Sequence, residues 1–144
     1  FSFTNEITPL RTNLIANRPF VECEIAGLRT KTNLLYDSGA QCSLISRKTF
    51  RLLPRYMRPK KLPIHIVAKN ASGGHLQIDG CYLFQMKILE KSVSHPFFVC
   101  KNIKNEGILG IDFIKHHGLS FDAEKNVPYF SRPDKKCNAI LSRK

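Results

Sequence analysis

One stretch constrains the fold more than any other: residues 34–40 read LLYDSGA, an apolar run that ends in a single acid. Carboxylates at the edge of buried apolar surface are frequent catalytic groups, because their surroundings alter their acidity. Asp37 also fits the role of an ordinary turn residue, whose side chain accepts hydrogen bonds from the nearby backbone. The rest of the sequence has to favour one of these two interpretations.

The flanking sequence predicts many short strands. Residues 20–25 alternate between apolar and polar side chains, which is typical of a half-buried strand, and 28–36 is predicted to return beside it as a hairpin. Further strands are predicted at 42–45, 64–68, 76–88, 97–100, 119–121 and 129–130. Short helices are predicted after Ser46, an N-cap, and between Asp112, a second N-cap, and Gly118. This pattern indicates a single all-β, barrel-like domain.

The second predicted hairpin has a tip made of small residues. Residues 64–68 lead into 70–74, which read NASGG. The returning arm extends to Ile88, with Gly80 at a place where a bulge would interrupt the strand. Because its tip is small, polar and rich in glycine, we expect this hairpin to be mobile.

Length and composition exclude several classes of protein. The chain has 144 residues, of which 42% are hydrophobic, enough for one domain with its own core. No apolar run approaches the roughly 20 residues that cross a bilayer, and the first residues lack the pattern of a signal peptide. The five cysteines lie far apart, which predicts reduced thiols in an intracellular, cytoplasmic protein without a metal or other cofactor. Because no initiator Met is present, we expect a piece of a longer chain.

Positive charge is concentrated in parts of the chain. The formal net charge is +12, and residues 38–78 carry eight Lys or Arg residues and no acid. A basic loop with several prolines is predicted at 55–63, and the tail 132–144 adds five bases and one acid. Such a surface is either simply solvated or makes weak contacts with nucleic acid, and no nucleic-acid motif accompanies it.

Taken in order, these parts resemble the retropepsins, the aspartic proteases of retroviruses and retrotransposons. Three groups of residues carry the resemblance: Asp37, Ser38, Gly39 and Ala40 after a hairpin, the glycine-tipped turn at 70–74, and Ile108, Leu109 and Gly110 before a helix. Ser38 replaces the more usual Thr, Tyr36 is bulkier than the usual aliphatic residue, and the ends are longer than in compact viral enzymes.

The resemblance spans residues 20–122 and implies an architecture. It implies a protease-like domain at residues 20–131, which consists of a closed β-barrel and one short C-terminal helix. An N-terminal arm, 1–19, and a basic C-terminal tail, 132–144, would flank this domain. In such enzymes the chain ends form much of the dimer sheet, so residues 1–10 and 139–141 either do so here or are disordered.

The resemblance also implies roles for the site residues. Asp37 would be half of a pair of carboxylates, because this chemistry needs two that share a proton. A single Asp-Ser-Gly motif in a chain of this length implies a homodimer. Ser38 would bond across to the partner's loop, the Gly39 amide would donate to the carboxylates, and Ala40 would lie near an apolar subsite.

Two further segments receive roles from the same resemblance. The flap that closes over an extended peptide or polyprotein substrate would consist of Asn70, Ala71, Ser72, Gly73 and Gly74. Structural support of the active-site loop would come from Ile108, Leu109 and Gly110. His116 and His117 fit roles at a helix end better than a metal site.

The function implied is that of a homodimeric aspartic endopeptidase that matures a retroelement polyprotein, in the cytoplasm or in virus-like particles and away from membranes. Two alternatives stay open. The chain could be a non-catalytic or latent module of the same fold that binds a protein or RNA. It could also be a host-encoded protease that trims cellular proteins.

Overall fold

A computed structural model describes residues 18–69 and 72–131 of the chain. Most of the predicted arm, the predicted tail 132–144, Asn70 and Ala71 therefore lie outside the described residues, and so does Cys137. Within the described part, none of the helices is long and apolar enough to span a membrane.

Six strands close into a barrel. They are β1 (Phe20–Ile25), β2 (Thr32–Tyr36), β3 (Leu44–Ser46), β5 (Ile78–Ile88), β6 (Lys91–Cys100) and β7 (Gly107–Leu109). Their order around the barrel is β1-β2-β7-β3-β6-β5, and β5 pairs with β1 to complete the ring. The prediction of an all-β barrel is confirmed.

The remaining elements are attached to this barrel. Strand β4 (Lys60–Leu62) extends the sheet beside β5, and β8 (Leu119–Asp122) pairs with β9 (Val127–Phe130) in a separate ribbon. Helix α1 (Arg47–Arg51) follows β3, and helix α2 (Ile111–His117) follows β7. A 3-10 turn at Arg55–Met57 leads into β4.

Alternating side chains fill the barrel interior. Strand β1 buries every second residue, as its sequence pattern predicts. The rings of Phe84 and Phe97 meet edge to face across the β5–β6 hairpin, with their centroids 5.5 Å apart. Phe113 brings α2 onto this pair, at 6.1 Å from Phe97. The helix is therefore held to the barrel by the same aromatic core that stabilises the long hairpin.

Several local predictions are confirmed. The Ser46 side chain caps α1 by accepting a hydrogen bond from the Thr49 amide. Gly118 ends α2 in the left-handed conformation, with φ 69°. The register of β5 shifts beside Gly80, where a bulge was expected.

The structure contradicts several of the sequence predictions about strands. Strand β2 begins at Thr32 rather than at residue 28, because a turn that includes Gly27 (φ 100°) separates it from β1. Residues 64–68 form no strand, and the predicted loop 55–63 contains β4. Strand β6 begins at Lys91 rather than at Phe97.

The early start of β6 places a proline inside a strand. Pro96 precedes Phe98–Cys100, the residues that pair with β3, so β6 has a neighbour on only one side at this position. A strand tolerates proline where one edge is open, because no partner needs the missing N–H. The sequence alone gave no indication of which edge is open.

Replacing Phe97 with alanine should lower the free energy of unfolding by about 3–5 kcal/mol, because the ring is fully buried and its removal leaves a cavity. Urea denaturation followed by circular dichroism would measure the change. As a control, Leu52→Ala should change it by less than about 0.5 kcal/mol, since this side chain is 64% exposed. Equal losses for the two variants would contradict the described core.

Candidate active site

Asp37 lies in a loop whose conformation is fixed by backbone hydrogen bonds. Its amide donates to the Leu109 carbonyl at 3.0 Å, and its carbonyl accepts from the Ala40 amide at 3.1 Å. The Gly39 amide donates to Asp37 Oδ1 at 2.9 Å, so the loop also orients the carboxylate. A turn-forming aspartate would make this last bond as well, so both interpretations of Asp37 describe the same geometry. The carboxylate is half-buried, whereas Ser38 and Gly39 are exposed.

The pairing of β2 with β7 brings a second segment against this loop. The two strands are parallel, with Leu35 opposite Ile108 and Tyr36 opposite Leu109. Beyond β7, the Ile111 amide donates to the Ala40 carbonyl at 2.7 Å. Parallel strands end at the same edge of a sheet, so the loop after β2 and the start of α2 meet there.

Gly110 is required at this meeting point. A Cβ atom at Gly110 would lie 2.6 Å from the Cys42 carbonyl oxygen and 2.7 Å from that of Ala40. Both obstacles are backbone atoms, which cannot rotate away as a flexible side chain can. Leu109 is fully buried, and Ile108 packs with a neighbouring apolar cluster.

A polar network behind the loop was not foreseen from the sequence. Ser43 Oγ donates to Asp112 Oδ1 at 2.8 Å and accepts from the Gly110 amide at 3.0 Å. Asp112 Oδ2 lies 2.9 Å from Nε2 of the buried His95 side chain, and His95 Nδ1 lies 3.1 Å from His117 Nε2. The network therefore links the backbone beside the active-site loop to β6 and α2.

The prediction that Asp112 is the N-cap of α2 is wrong. The N-cap residue is Gly110, which has no side chain to cap with, and Asp112 lies in the first turn. Its carboxylate is turned to Ser43 and His95, which are distant in sequence. No short-range signal could reveal these partners, because they lie 69 and 17 residues away.

The surroundings of Asp112 stabilise its ionised form. Partial burial opposes ionisation, but hydrogen bonds from His95, Ser43 and the Phe113 amide outweigh burial and lower the pKa below its ordinary value of 3.8. The acid therefore remains a carboxylate at neutral pH and can accept both side-chain hydrogen bonds.

Tyr36, the bulky residue before the acid, has a structural role. Its hydroxyl donates to the Leu119 carbonyl at 3.0 Å, and its ring centroid lies 5.7 Å from that of Phe121. Both partners belong to β8. Tyr36, which stands in place of the usual aliphatic residue, therefore connects β2 to the β8–β9 ribbon.

The predicted flap region turns back on itself, although its arms are not regular strands. Lys69 and His75 form an isolated antiparallel bridge, and the Leu76 amide donates to the Ala68 carbonyl at 2.8 Å. Among the predicted flap residues with described positions, Ser72, Gly73 and Gly74 are exposed. The role of this turn as a flap stays a prediction.

An ion pair fixes the base of this region. Both Nε and a terminal nitrogen of Arg47 donate to the Asp79 carboxylate at 2.6 Å. Arg47 begins α1, and Asp79 lies next to the bulge of β5. This two-point contact joins the two elements at the point where the chain leaves the predicted flap.

An apolar cluster lies beside the active-site loop. Its buried members are Leu44, Cys81, Phe98 and Cys100, and its half-buried members include Cys42, Ile66, Leu76, Ile78 and Ile108. The cluster joins the barrel to both arms of the predicted flap. Across the two described segments, no group of three or more His, Cys, Asp and Glu side chains could hold a metal ion.

Solved structures of retroviral-type proteases have a similar fold. The retroviral protease-like domain of Ddi1 from Leishmania major matches with a TM-score of 0.56 and 19% sequence identity, over 79% of this chain and 87% of that chain. The EIAV protease complexed with the inhibitor HBY-793 matches with a TM-score of 0.59 and 21% identity, over 73% of this chain and 92% of that chain. No protein-family profile and no curated protein matches the sequence.

The chain therefore has the retropepsin-type fold that its motifs resemble. At these identities the likeness establishes the fold, and the chemistry has to be argued from the residues of this chain.

Replacing Gly110 with alanine should displace the active-site loop and lower the free energy of unfolding by about 1–3 kcal/mol, because the new Cβ overlaps backbone oxygens. Hydrogen exchange should show faster exchange of the Ile111 amide, which bonds to Ala40. As a control, Gly73→Ala changes a residue in the predicted flap turn, where φ is 92° and no described atom lies within 4 Å of a Cβ, so any strain stays in that turn and the Ile111 amide should remain protected. An unchanged Ile111 amide in Gly110→Ala would contradict the described contact.

Replacing Asp112 with asparagine should lower the free energy of unfolding at neutral pH and make that free energy less sensitive to acidic pH. Because the folded-state pKa is lowered, ionised Asp112 stabilises the fold above its ordinary pKa of 3.8, and this contribution is lost as the pH falls through the lowered value. The difference between wild type and variant should therefore be constant near neutral pH and shrink over the acidic range that begins around the ordinary value of 3.8. Urea denaturation across this range would measure it, with the exposed Glu124→Gln as control. A constant difference would contradict the assignment.

Proposed function

We propose that this chain is a homodimeric aspartic endopeptidase to which each subunit contributes one Asp37. The placement of Asp37 carries the proposal: its loop is held by hydrogen bonds to Leu109 and Ile111, and its carboxylate is oriented by the Gly39 amide. A retropepsin-type fold with one such acid per chain needs a second chain to complete a pair of carboxylates. Each subunit would supply half of one active site.

In this proposal the two carboxyl groups act in different protonation states. The ionised Asp37 accepts a proton from a water molecule as the water oxygen attacks the scissile carbonyl carbon. The protonated acid of the second subunit donates to the carbonyl oxygen. The carbon–nitrogen bond then breaks as Asp37 passes the proton it accepted to the leaving amine nitrogen, and the second acid recovers its proton as the carbonyl re-forms. Ser38, whose side chain is exposed, is proposed to bond across the interface. Because one carboxyl must be protonated, we expect the highest activity at mildly acidic pH.

The substrate we propose is an extended peptide segment with apolar side chains. The half-buried residues of the apolar cluster, such as Ile66 and Ile108, offer apolar surface between the active-site loop and the predicted flap. The flap, residues 70–74, would close over the peptide and exclude water from the reaction. Backbone hydrogen bonds to an extended substrate would then supplement the apolar contacts.

We further propose that the substrate is a retroelement polyprotein and that the chain acts in the cytoplasm or in virus-like particles. This part of the proposal is supported by the resemblance of the motifs. The coding sequence around this chain tests it. A neighbouring reverse transcriptase would support a retroelement, whereas its absence would favour a host-encoded protease.

Replacing Asp37 with asparagine should lower kcat/KM by about 10²–10⁴-fold without unfolding the chain. Asparagine keeps the oxygen that accepts from the Gly39 amide but cannot activate water. The assay is cleavage of a fluorogenic peptide with apolar residues on both sides of the scissile bond, with Asp122→Asn as control. Thermal unfolding of both variants should resemble that of the wild type. Cleavage by Asp37→Asn at the wild-type rate would overturn the proposal.

Mixing the wild type with Asp37→Asn tests the shared active site. If chains exchange freely and both acids are required, an equimolar mixture should retain about one quarter of the wild-type activity at equal total chain concentration. A site complete within one chain would retain about one half. Sedimentation at the assay concentration establishes that dimers are present. A wild-type dimer without cleavage would favour the non-catalytic module instead.

A further inference from the structure

Nearly all the excess positive charge of the described residues lies in one short segment. Residues 47–61, here called the basic segment, contain seven Lys or Arg residues and no acid. The other described residues contain ten bases and nine acids, and are therefore almost neutral. The excess positive charge therefore belongs mainly to the part of the chain that forms α1, the 3-10 turn and β4.

Most charges of the basic segment have no acidic partner. Within the described part of the chain, only Arg47 among its seven bases lies within 4.0 Å of a carboxylate, that of Asp79. The exposed bases are Lys48, Arg51, Arg55, Lys60 and Lys61. Arg58 lies with its guanidinium carbon 5.0 Å from the centre of the Phe50 ring, a contact that leaves its charge uncompensated.

Edge protection explains only part of this charge. Lys60 and Lys61 lie on β4, which among the described strands pairs with β5 alone, and lysines on an edge strand prevent unwanted strand pairing. Arg51 and Arg55 lie outside any strand, so this explanation does not apply to them. Their exposure beside further cations costs electrostatic free energy, which a bound polyanion would recover.

Exposed apolar side chains lie among these cations. Tyr56 is 88% exposed, and Leu52 and Met57 are 64% and 44% exposed. Tyr56 stands in the 3-10 turn directly after Arg55 and two residues before Arg58. An exposed ring close in sequence to two arginines has the chemistry that binds a nucleobase beside its phosphates.

We propose that the basic segment binds a single-stranded nucleic acid. Its lysine and arginine side chains would contact phosphates, and the Tyr56 ring would stack on a nucleobase. A double helix offers no unstacked base to such a ring, so a single strand is the better partner. An acidic protein would use the charge and could also pack on the ring, so the choice between the two partners rests on the binding tests. This activity is separate from peptide cleavage and does not depend on Asp37.

The direct test is the fluorescence anisotropy of a labelled oligouridylate of about 20 nucleotides, titrated with the full chain at several salt concentrations. The triple variant Arg51→Gln, Arg55→Gln, Lys60→Gln should bind much more weakly. The slope of log K against log salt should become less steep by about 2, since each lost phosphate contact removes about 0.7.

A matched control separates a local surface from net charge. The triple variant Lys87→Gln, Lys101→Gln, Lys104→Gln removes the same charge from exposed positions outside the basic segment. It should retain the wild-type slope and nearly the wild-type affinity. Equal weakening in the two triple variants would overturn the proposal, because binding would then follow net charge alone.

A second pair of variants tests the stacking ring. Tyr56→Ala should weaken binding by roughly tenfold, the effect of losing one stacked base, with an unchanged salt slope. Tyr129→Ala, which removes a ring that is 48% exposed elsewhere, should have no effect. If Tyr56→Ala binds like the wild type, or if labelled polyglutamate binds as tightly as the oligouridylate, an acidic protein is the better partner and the proposal fails.

Discussion

The structure depends on the contact between Gly110 and the loop that carries Asp37. Only a residue without Cβ fits against the carbonyl oxygens of Ala40 and Cys42, and this fit lets Ile111 bond to the loop. The contact is possible because β2 and β7 are parallel and end together. Parallel neighbours cannot be joined by a tight turn. Here most of the barrel lies between them in sequence, so the candidate site forms only when the barrel closes.

The polar network of Asp112 extends this dependence into the core. Ser43 holds the Gly110 amide, Asp112 holds Ser43, and His95 connects the acid to β6. The His95 ring also packs against the core, with its centroid 4.9 Å from that of Phe113. The loop backbone is thus fixed by groups whose own positions are set by aromatic packing, which is how a barrel gives a surface loop a defined geometry.

The geometry around Asp37 and the excess positive charge belong to different parts of the fold. The loop at 37–40 is positioned by β7 and α2, whereas the basic segment lies on α1, the 3-10 turn and β4. The ion pair between Arg47 and Asp79 is the described connection between the basic segment and the base of the predicted flap. Changes to the outer cations can therefore be made without altering the contacts that orient Asp37.

Features that depend on residues close together in the chain could be predicted from the sequence. The alternation of apolar and polar residues predicted β1, and the hydroxyl of Ser46 predicted the start of α1. The conformational freedom of Gly118 predicted the end of α2. The acid after an apolar run marked Asp37 as the candidate catalytic residue. Each of these signals works over a few residues, so each can be recognised without knowledge of the fold.

Contacts between groups that are distant in the chain became visible only in the folded molecule. The alternation at 64–68 predicts a strand, yet Ile64 and Val67 are 41% and 82% exposed, because no strand in residues 18–69 or 72–131 pairs with this segment. Asp112 had the composition of a cap, but Ser43 and His95 compete for its carboxylate once the barrel brings them close. Strand pairing and side-chain partners depend on which elements become neighbours, and a local pattern does not contain that information.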